Sequence, residues 1–309
     1  MMFGTREVFD YFECVQCGTL QIAEIPEDMS AYYPADYFSL DSEMYIDLAL
    51  SFARRVAARF AGDYLLNKPS SISGFIGKFI VRQKPWIEYH FPASLRNFPG
   101  RLGFDTRILD FGSGAGLLLQ KLHYFGFRDL TGADAFIEAD LSYPTGVKIY
   151  KKTLADLEPS FDLIMLHHSF EHLPAPVEAL SQIHRLLSKD GTCLLRVPVV
   201  NFAWEKYGIN WVQLDAPRHL FLYTEKSLRR LAEKAGFKVV RVDYDSTAFQ
   251  FWGSEQYAQD MPLNHPRSLN VYLSRSEFTH EQIAEWQRKA DELNALKKGD
   301  QACFYLRKM

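Results

Sequence analysis

The sequence predicts an α/β protein built on an open, mostly parallel sheet with helices on both faces. Three observations point there. From Arg107 onward, short apolar β-rich runs alternate with helical runs. The first of these runs breaks into alternating glycines in "ILDFGSGAGLLL", residues 108–119. A last strand-like segment, "QACFYLRKM", has no helix length immediately before it, and helical material that reads as an insertion separates it from the strand before.

Taken in order, residues 1 to about 40 form a first unit. Alternating apolar residues in "REVFDYFECVQCGTLQI" flank a tight Cys14-x-x-Cys17-Gly18 turn, which suits two short strands, and the Tyr- and Pro-rich "AYYPADYFSL" follows. Residues 41–100 read as a helical cap or lid. Helical spacing runs through "EMYIDLALSFARRVAARFAGDYLL", residues 43–66, and an aromatic-rich "SISGFIGKFIVRQKPWIEYH" continues it.

Residues 101–309 carry the sheet. "RILDF" is the first strand and "GLLLQKLHYFGF" a helix; "DLTGADA", "VKIYKK" and "FDLIMLH" are the second to fourth strands. "APVEALSQIHRLLSKDG" reads as a helix stopped by its glycine, and "TCLLRVPV" as the fifth strand. "TEKSLRRLAEKAGF" opens on a Thr-x-x-Ser cap, and "KVVRVDYDS" is the sixth strand. Helical material at about 249–298 is inserted before the terminal strand.

Composition narrows the function. The chain has 309 residues, 47% hydrophobic and 24% charged, with net charge −3 and both signs scattered. That is ordinary for a globular protein and gives no general attraction to nucleic acid or an anionic membrane. With no long charge-free apolar span and no signal-peptide pattern, the expected compartment is the cytoplasm. Four cysteines without framework spacing argue against a disulfide-stapled protein.

In an open α/β sheet, ligands sit beyond the carboxyl ends of the strands, so the glycine loop is in position for a nucleotide-like ligand. Gly112, Gly114 and Gly116 let backbone turn sharply and approach it. A triphosphate loop needs a Gly-Lys-Ser/Thr ending, which is missing. A dinucleotide loop wants its third glycine where this chain has Leu117. Asp110 puts a negative charge before the loop and suits a cationic ligand better than a pyrophosphate. Asp134 lies roughly 20 residues on, where an acid meets ribose hydroxyls. Ribose without phosphate, near an amino-acid head group, describes S-adenosylmethionine.

"ILDFGSGAGLLLQKL", "GADAF", "FDLIMLHHSFEHLPAP", "LLSKDGTCLLRVPV" and "PRHLFLYTEKSLRRLAEKAGF" stand in one order. In that order they resemble class I S-adenosylmethionine-dependent methyltransferases, most closely the branch with ubiquinone-pathway and sugar methyltransferases. The resemblance spans about residues 104–245 and the terminal strand. It implies a Rossmann-like seven-stranded sheet whose last strand is antiparallel and inserted beside the sixth. It also implies a cofactor site at Asp110, Gly112, Ser113, Gly114, Gly116, Asp134 and Ala135, with Ala155 and Asp156 bordering the adenine.

"LHHSFEHL" ends the fourth strand where, by the resemblance, methyl group meets acceptor. His167 is the expected catalytic histidine there, with His219 in "APRHLFLYT" on the opposite side of the acceptor pocket. A neutral imidazole at either position can take a proton from an attacking hydroxyl. Glu171 and His172 weigh towards a helix cap and a packing residue. Related sugar methyltransferases carry an N-terminal zinc module with two cysteine pairs; here Cys14 and Cys17 supply half, so no bound metal is expected. The aromatic "NFAWEKYGINWVQLD" is expected as a lid that packs over the cleft.

The expected function is methyl transfer to a small molecule, a nucleotide-linked sugar or a polysaccharide or secondary-metabolite intermediate, with no nucleic-acid or membrane partner. A quinone-type O-methyltransferase and a non-catalytic binding protein of the same fold are the alternatives.

Overall fold

The computed structural model describes residues 4–33, 52–67, 72–96, 98–100, 102–271 and 276–309. The predicted connection after residue 33, and residues 43–51 of the predicted first helix, lie outside them.

Strands β1 (Tyr11–Glu13) and β2 (Leu20–Ile22) pair antiparallel, as the alternation around the Cys turn predicts. Helices α1 (Phe52–Asn67), α2 (Ile72–Gln83) and α3 (Trp86–His90) follow. Next come β3 (Ile108–Phe111), α4 (Leu117–Tyr124), β4 (Leu130–Ala133), β5 (Leu141–Ser142), β6 (Lys148–Tyr150) and β7 (Phe161–His167). Beyond these lie α5 (Pro176–Leu186), β8 (Leu187–Pro198), α6 (Phe202–Tyr207), β9 (Phe221–Leu222), α7 (Glu225–Lys234) and β10 (Phe237–Tyr244). Helices α8 (Phe249–Ala258) and α9 (His280–Ala295) precede β11 (Gln301–Lys308).

The large sheet runs β10-β11-β8-β7-β3-β4-β6-β5. β11 is antiparallel to both neighbours and sits between β10 and β8, the placement expected of the terminal strand. The sheet has eight strands, not seven: Leu141–Ser142 adds a two-residue edge antiparallel to β6. One boundary also differs. The helix expected through Gly191 stops at Leu186, because Leu187 is buried and pairs with Phe161, carrying the chain straight into the sheet. The N-terminal hairpin, too, gains a third strand, since β2 pairs with β9.

Strand alternation divides the core into two layers. Leu109, Ile164, Leu166, Leu195 and Phe304 face α5 and α7 through Leu180, Ile183 and Leu228. Ile108, Leu163, Met165, Leu194 and Tyr305 face α1 and α4 through Ala61, Leu119 and Leu122. Among the described residues, no helix is long and apolar enough to cross a membrane.

Candidate active site

β3 ends in the glycine loop, and Gly112, Gly114 and Gly116 all take left-handed backbone, at φ +73°, +52° and +82°. Gly112 is the tightest position. A Cβ there would stand 2.4 Å from Cβ of Ser169, whose hydroxyl donates to the Phe111 carbonyl at 2.8 Å. Glycine is therefore needed both for conformation and for the close approach of the loop that follows β7.

Asp134, at the end of β4, holds the loop from the side. Its Oδ2 accepts from the Gly114 amide at 2.9 Å and its Oδ1 from the Phe136 amide at 2.8 Å. Asp110 lies buried within β3, 3% exposed. Burial, and then the charge of Asp134, push its carboxyl up to about 8.

The loop opens on a cleft of about 470 Å³. Gly112, Asp134 and Ala135 form one part of its wall, and Phe136, Leu154 and Ala155 an apolar part. Of the other predicted cofactor residues, Asp110, Ser113, Gly114 and Gly116 do not line it. Asp156 also stands off it; its carboxylate accepts from the amide and hydroxyl of Thr153, which does line the cleft.

His168 and His172 line the same cleft; His167 does not. The reason is strand alternation. His167 is in register with Arg196 and shares the β7 face of Leu163 and Met165, which looks towards the α1–α4 layer. Its Nε2 is buried without a hydrogen-bond partner, and burial, then Arg196, lower its pKa to about 3. His168 leaves the strand at φ +52°, a conformation uncommon outside glycine. Its Nε2 accepts from Nη1 of Arg196 at 2.8 Å, and Arg196 in turn pairs with Asp245 at 2.7 Å. His168 Nδ1 lies 3.4 Å from Oε1 of Glu171.

Glu171 is fully buried, at 0% exposure, and neither carboxylate oxygen accepts a hydrogen bond. Nε2 of His219 lies 3.9 Å from its Oε1 and 3.7 Å from Oδ2 of Asp215. The rings of His172 and His219 meet edge to face at 4.9 Å. His219 Nδ1 donates to the Gln213 carbonyl at 2.7 Å, and His172 Nδ1 to the Arg218 carbonyl at 2.8 Å. Burial is the main cause that lowers both imidazoles to about 4, so both are neutral near pH 7.

The structure thus brings His219 together with Glu171 and His172, which the sequence weighs as structural, and leaves His167 apart. The cleft histidines are His168, which the sequence sets beside His167 at the strand end, and His172, which it weighs as a packing residue. The available signal was density: three histidines and a glutamate within residues 167–172. Other expectations resolve simply. Trp211 is fully buried, and its indole donates to Asp300 at 2.9 Å; Ala203, Trp211 and Val212 pack as core, and no residue of 201–215 lines the cleft. Cys14 and Cys17 are half-buried and form no disulfide, and their turn docks on α7 through the Thr224 hydroxyl, which donates to the Cys17 carbonyl at 2.7 Å.

A model of a family described as "Methyltransferase domain" matches residues 58–242. No match is found among curated proteins. Among solved structures, the mycolic acid cyclopropane synthase CmaA1 complexed with SAH and CTAB is 17% identical, covering 84% of this chain and 99% of that one (TM-score 0.47). Haemonchus contortus phosphoethanolamine N-methyltransferase 2, in complex with phosphomonomethylethanolamine and S-adenosylhomocysteine, is 17% identical over 94% of this chain and 62% of that one (TM-score 0.43). Burkholderia thailandensis 1,6-didemethyltoxoflavin-N1-methyltransferase is 17% identical over 85% and 93% (TM-score 0.41).

Proposed function

The chain belongs to the methyltransferase-domain family, and from that membership we propose that it transfers a methyl group from S-adenosylmethionine to a small molecule in the cleft beside Gly112. One observation carries the reading: Gly112 of the left-handed loop and the histidines His168 and His172 line the same cleft.

The residues fit the cofactor. At Gly112 the space a Cβ would fill is taken by the Ser169 side chain, which keeps the loop pressed against the β7 end beside the cleft. Phe136, Leu154 and Ala155 offer an apolar wall for adenine. Each Asp134 oxygen accepts one amide and keeps a second lone pair for a ribose hydroxyl. Asp110 lies behind the loop as a carboxyl that a cationic ligand would ionise. When bound, S-adenosylmethionine supplies an electrophilic sulfonium methyl group.

The chain's own part is alignment and proton handling. Ser169 locks the β7 end against the loop, so the acceptor end of the cleft is held in register with the cofactor end. His172 reaches the cleft as a neutral imidazole whose Nδ1 proton is committed to the Arg218 carbonyl, leaving Nε2 as acceptor. Glu171, buried behind it, favours positive charge arriving on the cluster.

The acceptor class, a nucleotide-linked sugar or a polysaccharide or secondary-metabolite intermediate, is supported by the resemblance of the Cys14–Cys17 knuckle and of the stretch from "SEQY" to "GDQACFYLRK" to sugar methyltransferases. Residues 101–309 form the catalytic unit of this reading, with the insertion at about 249–298. S-adenosylhomocysteine at 100 times its dissociation constant should stabilise the protein by about 2.7 kcal/mol, and NAD should not. Absence of that shift overturns the reading. Labelled methyl transfer to nucleotide sugars but not to phenolic quinone precursors sharpens the acceptor class; the reverse makes it a quinone-type enzyme.

A further inference from the structure

We propose that Glu171, His172 and His219 form a binding site for a divalent transition-metal ion of the zinc class at the acceptor end of the cleft. Among the described residues they are the only such group, with one ligand atom from each lying within 4.8 Å of the others. A zinc ion with bonds of ~2.1 Å holds its ligands roughly 3.4 Å apart, so small side-chain movements close the set.

The second observation is the state of Glu171. Its carboxylate is fully buried and accepts no hydrogen bond, an arrangement that costs several kcal/mol unless a cation or donor meets it. The Arg218 guanidinium pairs with Asp215 and the Arg196 guanidinium with Asp245. His168 Nδ1, which carries that ring's proton because Nε2 accepts from Arg196, stands 3.4 Å from Oε1 without forming a hydrogen bond, and the unprotonated Nε2 of His219 stands 3.9 Å away.

The third observation is how the histidines are held. Each gives its Nδ1 proton to a backbone carbonyl, His172 to Arg218 and His219 to Gln213. That fixes the tautomer and leaves Nε2 with its lone pair, the preparation that metal-ligating histidines usually show. Two neutral imidazoles and one carboxylate make a set with open positions, as in catalytic rather than structural zinc sites. His172 belongs to both the cluster and the cleft wall, so an oxygen of the acceptor can complete the shell.

The inference rests on the reading of this cluster as the acceptor end, and deepens it: an ion held there would lower the pKa of the acceptor hydroxyl, so that its proton leaves to solvent rather than to His172 before the oxygen takes the methyl group. The cysteine pair is a competing thiolate site and is removed first, by Cys14→Ser and Cys17→Ser. Calorimetry with zinc chloride on this metal-stripped protein, without cofactor or acceptor, should give one site per chain. Glu171→Gln, close in size, should weaken it at least about 100-fold. Anomalous scattering at the zinc edge from crystals of the Cys-to-Ser protein should place the ion between the three side chains, whether or not the Gln variant folds. Absence of heat, or a peak elsewhere, overturns the site. S-adenosylhomocysteine binding is measured separately, so loss of the metal site leaves the methyltransferase reading standing.

Discussion

Between Asp110 and Gly116 the chain shapes its site with backbone, through three left-handed glycines braced by the Asp134 carboxylate. Around Glu171 it does so with side chains gathered from separate stretches: the β7 end, the loop before β9, and Tyr33, whose hydroxyl stands 3.3 Å from His172 Nδ1. The first construction tolerates almost no change at its tightest residue, because backbone cannot give way. The second depends on which protons sit where. Substitutions should therefore act on cofactor binding and stability in the loop, and on turnover in the cluster.

The largest effect should come from the cluster. His172→Ala is expected to lower turnover on the true acceptor by ~100- to 10,000-fold while cofactor affinity stays near wild type. His167→Ala, on the other face of β7, should leave turnover nearly unchanged. Single-turnover rates for the two variants test the division. If His167→Ala proves the more damaging, the acceptor lies on the other side of the sheet and the comparison fails.

Gly112→Ala comes next. Left-handed alanine costs about 1–2 kcal/mol, and a Cβ at 2.4 Å from Ser169 adds overpacking of about 1–3 kcal/mol. Urea unfolding should show the sum as a lower midpoint, and S-adenosylhomocysteine binding should weaken with it. A wild-type midpoint would mean that the loop yields as easily as side chains do.

The same contrast explains what the sequence made legible. The loop is local: seven consecutive residues carry its conformation, and Asp134 is placed by a spacing that depends only on strand, helix and strand. The succession of strands was legible too, because each carries its own apolar pattern, while the antiparallel placement of β11 was implied only by the family resemblance. Leu141–Ser142 escaped because two residues show no periodicity. His167 and His168 were interchangeable as letters, since a one-residue step at the strand end flips the face. Glu171 looked like a cap because its isolation is a tertiary fact, made by residues 215–219 closing over it.

Asp134→Ala should cost less than the glycine change. It removes the acceptor of the Gly114 and Phe136 amides and a charge-assisted contact to ribose, a loss of about 1.5–3 kcal/mol in cofactor affinity. Calorimetry that shows unchanged affinity would take Asp134 out of the cofactor site and leave it as a brace only.

Asp110 should give the smallest effect, and one that neither backbone nor packing can imitate. Its carboxyl is pushed up to about 8 in the folded protein, against about 3.9 in an unfolded chain. Between those values the folded state keeps a proton that the unfolded state has released. Its stabilising contribution is therefore complete below pH ~4 and is lost as pH rises through about 8. A cationic ligand beside Asp110 favours the ionised form, so binding should expel the proton. Affinity for S-adenosylmethionine should then rise by up to about tenfold per pH unit below 8, at most about 1.4 kcal/mol per unit, and level off above it. S-adenosylhomocysteine, which lacks the sulfonium charge, should show a weaker dependence. Calorimetry in buffers of different ionisation enthalpy counts the released proton directly. Asp110→Asn should abolish the release; if the proton still leaves in that variant, the titrating group lies elsewhere and the acid before the loop is a structural residue.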